Sequence, residues 1–176
     1  MLESLQRSLA QLVRTGTVTE RPAEPVTADY LQVVAGATGL RVMREVVHEW
    51  RLLLLRQGCP LTTGALIGEG AFVAAVGQFM REESLDPLAQ SLASGFLVWA
   101  AKRRDDDIGS LAQFEHALIA VRRGTSSASV VVTWKCQPMD AIAAALHARP
   151  MPKPHPSAIY TTEIAEHLPG SFTVRY

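Results

Sequence analysis

Apolar residues recur every three or four positions through residues 2–122, and every second position in segments nearer the C-terminus. Leu2, Leu5, Leu9 and Leu12 share one side, with Glu3, Gln6 and Arg7 opposite, which predicts an amphipathic helix over 2–14. Two prolines, a glycine and two threonines break the period over 16–25 and predict a connecting loop. Thr27 then stands as the cap of a short helix running to Val34, closed by Gly36 and Gly39. The clearest helix covers 40–57, with Met43, Val46, Val47, Trp50, Leu53 and Leu54 as its apolar stripe and Gly58 as its stop. Three more follow by the same test. They cover 69–81 on Phe72, Val76 and Phe79; 87–102 on Leu88, Leu92, Phe96 and Trp99; and 108–122 on Leu111, Leu118 and Ile119.

After Gly124 the period shortens. Residues 129–136 are rich in β-branched side chains and alternate, with Val130, Val132 and Trp134 on one face and Val131, Thr133 and Lys135 on the other. Residues 125–128 read as a linker, 140–147 as a short helix, and 158–164 and 171–176 as two more strands. Between them, prolines at 150, 152, 154 and 156 favour extended, non-helical chain. The expected fold is α+β: an N-terminal helical bundle over 1–124, followed by a small C-terminal β-sheet subdomain over 125–176.

Composition refines this picture in three ways. Apolar residues at 48% and charged residues at 19% mark a chain that folds. Lysine plus arginine balances aspartate plus glutamate at 17 each, so no overall basic field draws the chain onto nucleic acid. The basic cluster Lys102-Arg103-Arg104 is followed at once by Asp105-Asp106-Asp107. Two distant cysteines, no secretory pattern at the N-terminus and no long uninterrupted apolar run give a cytoplasmic, non-membrane expectation.

Candidate chemistry is sparse. No His-x-x-x-His or Cys-x-x-Cys spacing occurs, and His147, His155 and His167 read as solvated loop residues, so no metal or other cofactor is expected in this chain. Gly64-x-x-x-Gly68-Glu69 lacks the lysine and hydroxyl of a phosphate loop and reads as a turn and a helix start. Cys59, beside Pro60, reads as a small buried residue at a turn rather than a reactive thiol. Glu115 lies on the apolar stripe of its helix, four residues after Leu111 and three before Leu118. A buried charge there needs a partner: an arginine or helix-end amides inside the bundle, or, on the functional reading, an interface with another protein.

Three spaced signatures run through the middle of the chain: Cys59-Pro60-x-Thr62 leading to Gly68-x-x-x-Phe72; Leu92-x-x-Gly95-Phe96; and Leu111-Ala112-x-Phe114-Glu115-x-Ala117-Leu118. With the opening Leu2-x-x-Leu5-Gln6-x-x-Leu9, their order resembles a family of small helical partner subunits of multinuclear non-haem iron oxidative enzymes. Members are often labelled DNA-binding proteins, and they include partner proteins of methanobactin and 3-thiaglutamate biosynthesis. The family often carries an aromatic residue at the position of Cys59, which argues against a shared thiol nucleophile.

The resemblance implies a non-catalytic subunit that grips the leader of a ribosomal precursor peptide. It would present the peptide's modifiable end, a cysteine, to a multinuclear non-haem iron oxidative enzyme whose iron belongs to that partner. It further implies that the peptide is received by the C-terminal strands, at Val130, Val131, Val132, Thr133 and Trp134 and at Phe172, Thr173, Val174, Arg175 and Tyr176. Independently of the family, a small three-stranded sheet has two edges, and an edge can accept an extended peptide as a further strand. The alternative is a DNA-binding regulator, against which stand the zero net charge and the lack of a basic recognition helix. An independent enzyme built on Cys59 or Glu115 lacks a base or an orienting partner.

Overall fold

The computed structural model describes residues 2–16, 25–83 and 89–175, with side chains omitted at 2, 4, 14, 15 and 89–91. Residues 17–24 of the expected loop, Pro87 and Leu88 of an expected helix, and Tyr176 of the candidate peptide site lie outside the described residues.

The described residues form eight α-helices and a three-stranded antiparallel sheet, an α+β fold. The chain divides into two compact units, one ending at Leu53 and the other running from Leu54 to the C-terminus. The first unit contains α1 (Leu2–Thr15), α2 (Pro25–Gly36) and most of α3 (Thr38–Gly58). α2 starts on Pro25, which suits a first helical turn because the missing N–H would have had no partner there, so Thr27 lies inside the helix rather than at its cap. Leu12 and Leu31 are buried, but the expected stripe of α3 is largely not. Met43, Val46, Trp50 and Leu53 are exposed, Val46 at 62% and Trp50 at 59%, while Leu52 and Leu55 take the buried positions.

The second unit contains α4 (Pro60–Gly68), α5 (Phe72–Glu82), α6 (Ala89–Arg103), α7 (Asp107–Arg122) and α8 (Pro138–Leu146), with β1 (Val130–Trp134), β2 (Tyr160–Ile164) and β3 (Phe172–Arg175). α7 lies at its centre and buries ten residues, among them Ile108, Leu111, Phe114 and Leu118. Phe114 makes edge-on ring contacts with Trp134 of β1 and Phe172 of β3. The division expected at 124/125 therefore falls within one unit, since helix α7 and the sheet share a core. A second aromatic cluster, Phe79, Phe96 and Trp99, joins α5 to α6.

One helix was not expected. The segment read as a turn around Gly64 and Gly68 is α4, and the following helix starts at Phe72 instead of Glu69. Both glycines serve close packing. A Cβ at Gly64 would stand 2.1 Å from the carbonyl oxygen of Ala145, and one at Gly68 the same distance from that of Arg149, so the two glycines let α4 lie against α8 and the chain just after it.

The sheet has order β1-β2-β3, with Val130 opposite Ile164 and Ile164 opposite Phe172. As the alternation requires, Val132, Trp134, Thr162 and Ile164 face the core, while Val131 and Thr133 face outward. Thr162 is tolerated inside because its hydroxyl accepts the Trp134 indole N–H at 3.0 Å.

Candidate functional site

The two edges of the sheet differ. The Ala165 N–H donates to the Ser171 carbonyl at 3.0 Å, which makes that pair a bonded one. Antiparallel alternation then assigns the β2–β3 bonds to the pairs Glu163/Thr173 and Thr161/Arg175. The N–H and C=O groups of Phe172 and Val174 consequently point away from β2, and among the described residues none of these four groups has a partner. On β1 the same alternation turns Val131, Thr133 and Lys135 outward.

That β1 edge is closed at one end, from the Thr133 carbonyl through Lys135. The Ser110 hydroxyl donates to the Thr133 carbonyl at 2.7 Å. The Asp107 carboxylate accepts from the amides of Lys135 and Cys136 at 2.6 and 3.3 Å. The Lys135 carbonyl accepts the His155 N–H at 2.7 Å. His155 belongs to the proline segment, whose Met151 amide in turn donates to Glu69 at 2.8 Å, so the segment is pinned at two of its non-proline positions. Among the described residues Val131 keeps both outward groups free on β1 and Thr133 its N–H, whereas on β3 all four outward groups of Phe172 and Val174 are free. Of the residues expected to receive a peptide, Val130, Val132 and Trp134 bond toward β2 with their backbones, as do Thr173 and Arg175, and the free groups belong to Phe172 and Val174.

Sequence reasoning missed Asp107 and Ser110, which close one end of the β1 edge. The available signal was the helix start itself. Asp106 caps α7 by accepting from the amides of Ile108 and Gly109, both at 3.1 Å. An aspartate cap fixes the register of the residues after it, so Asp107 and Ser110 are first-turn residues and not merely a charge-balancing run.

Glu115 is 3% exposed, and both of its oxygens are engaged inside the chain. Oε1 accepts the Leu61 amide and Oε2 the Thr62 amide, each at 2.8 Å. These are first-turn amides of α4, whose cap residue Cys59 supplies no side-chain acceptor. Glu115 therefore caps α4 from α7, the helix-end-amide alternative among its expected roles, and presents no surface to a partner protein. Burial raises its pKa, while the two amides and the neighbouring Thr62 hydroxyl pull the other way. That hydroxyl oxygen is buried without a hydrogen bond of good geometry.

Neither thiol is poised for chemistry. Cys59 is fully buried, its Sγ donates to the Leu55 carbonyl at 3.1 Å, and burial together with the Glu115 charge pushes its pKa up. Burial, then the charge of Asp107, pushes Cys136 up to about 12. Among the described residues no three histidine, cysteine or carboxylate side chains gather as metal ligands, and no helix is long and apolar enough to cross a membrane.

The class these features define is an α+β protein with one centrally packed helix and a small, one-faced antiparallel sheet open along β3. Comparison with family models, curated proteins and solved structures returned no match.

Proposed function

We propose that this protein is a non-catalytic partner subunit that binds the leader of a ribosomal precursor peptide along its sheet and presents the peptide's modifiable end, a cysteine, to a multinuclear non-haem iron oxidative enzyme. The observation that carries the reading is the open β3 edge, where four backbone groups on Phe172 and Val174, unpartnered among the described residues, suit a peptide adding as a fourth strand. Main-chain bonds would supply affinity, and the side chains flanking the edge the choice of peptide residue. The motif resemblance supplies the identity of the peptide and of the enzyme.

The exposed apolar stripe of α3, from Met43 through Val46 and Trp50 to Leu53, supports a protein partner for the first unit, because stripes of this kind on a solvated helix mark interaction surfaces. Iron belongs to the enzyme in this reading, and the complex works in the cytoplasm. Co-purification of the tagged chain with the products of its neighbouring genes, followed by mass spectrometry and iron analysis, tests the proposal. An iron-containing enzyme and a short peptide should be retained together. The chain recovered alone, free of both, would overturn it.

A further inference from the structure

α6 and α7 form an antiparallel pair with a groove of about 660 Å³ along it. Its midpoint is marked by Ser94 and His116, whose Oγ and Nε2 atoms lie 3.0 Å apart. This pair is not a catalytic dyad. Ser94 sits within α6, where the backbone amides are committed to the helix, so no donors are free to stabilise an oxyanion. The groove is better read through its floor and its ends. Ala93, Leu97, Ala101, Ala117 and Ala120 give a shallow apolar trough, and Lys102 and Arg123 stand on its rim.

The geometry sets those two cations far apart. Lys102 is two turns beyond Ser94 on α6, and Arg123, the residue that ends α7, is two turns beyond His116 on the helix that runs the other way. At a rise of about 1.5 Å per residue, the charges lie roughly 20 Å apart, one at each end. The groove lining contains no carboxylate, and neither cation has an ion-pair partner among the described residues, although Arg103 is held by Glu82 and Arg104 by Asp106. An extended peptide advances about 3.3 Å per residue, so six or seven residues fill the length. An amphiphile with one charged head would satisfy one end only.

We propose that this groove is a second docking site on the protein, taking an extended, apolar segment of the precursor peptide that carries an acidic residue near each end. The assignment of the occupant rests on the function proposed above. It is favoured by continuity, because Val130 lines the groove and lies in register with Ile164 and Phe172, two strand spacings or about 10 Å from the start of the open edge. Three residues of peptide can bridge that gap.

The test uses the full chain and a fluorescein-labelled octapeptide of leucines and alanines with a glutamate at each end, beside a twin with lysine at both ends, followed by fluorescence anisotropy at low salt. The glutamate peptide should bind about tenfold tighter than its twin, and Lys102→Glu and Arg123→Glu should each remove most of that preference. Equal affinity for the two peptides, or a preference that survives both charge reversals, overturns the site. Val174→Pro should leave probe binding unchanged; if it abolishes binding, the probe sits on the sheet edge and the groove assignment fails. Failure of the co-purification, by contrast, would remove the precursor as occupant while leaving the probe result standing, so the two readings fail separately.

Discussion

Glu115 shows how far a single residue can be read from its spacing. Its place between Leu111 and Leu118 puts a carboxylate inside the bundle, and helix-end amides are among the few partners able to hold one there. What spacing could not supply was the helix it caps, because Thr62, Thr63, Gly64 and Gly68 are poor helix formers and give α4 no local helical signal. Removing the carboxylate leaves two buried amides without acceptors, so Glu115→Ala should lose about 2–4 kcal/mol in chemical denaturation. A contact residue for a partner protein would instead leave stability unchanged. The dependence on pH has a definite sign. Since burial raises the folded-state pKa above the unfolded value, the stability linked to this group is fully present below the ordinary glutamate range of about 4.3 and declines as pH rises through the folded pKa. The stability advantage of the native chain over Glu115→Gln should therefore shrink between pH 4 and neutrality. An advantage that grows with pH would mean that the amide bonds outweigh burial.

At the scale of elements, apolar spacing together with glycine, proline and capping signals located seven of the eight helices among the described residues, and β-branched segments the three strands. α4 failed that test, since its pattern is set by how closely α8 approaches and not by a stripe of large side chains. The two kinds of helical glycine should separate cleanly under substitution. Gly64→Ala drives a methyl group against the Ala145 carbonyl, with a backbone that must shift to accept it, and should cost about 1–3 kcal/mol or more. Gly77, in the middle of α5, has as its nearest neighbour only the flexible end of Arg81 at 3.6 Å. There an alanine should raise stability by about 0.5–1 kcal/mol through helix propensity alone. Thermal unfolding of both variants checks the contrast, and equal effects would mean that the α4–α8 approach does not limit packing.

For the whole molecule, the sequence placed a small sheet at the C-terminus but could not rank its edges, because the ranking depends on groups from elsewhere in the chain. Ser110 and Asp107 arrive from the first turn of α7, and His155 from the proline segment, and together they close the Thr133–Lys135 end of the β1 edge. The same remoteness hid the shared core of α7 and the sheet, for nothing local to Phe114 announces Trp134 or Phe172. This asymmetry makes the peptide-binding reading testable with a substitution that spares the fold. Val174→Pro deletes an N–H that points away from β2, and the ladder bonds of Thr173 and Arg175 stay in place, a situation in which an edge strand tolerates proline. The variant should stay folded by circular dichroism with a loss of about 1 kcal/mol from the smaller side-chain contact, yet its capture of the precursor peptide should fall at least tenfold. Val131→Pro makes the equivalent change on β1, where the Thr133 carbonyl and both Lys135 backbone groups are already engaged, and should leave capture within about twofold of the native chain. If instead Val131→Pro abolishes capture and Val174→Pro does not, the peptide adds to β1, and the bonds from Ser110 and His155 must open to admit it.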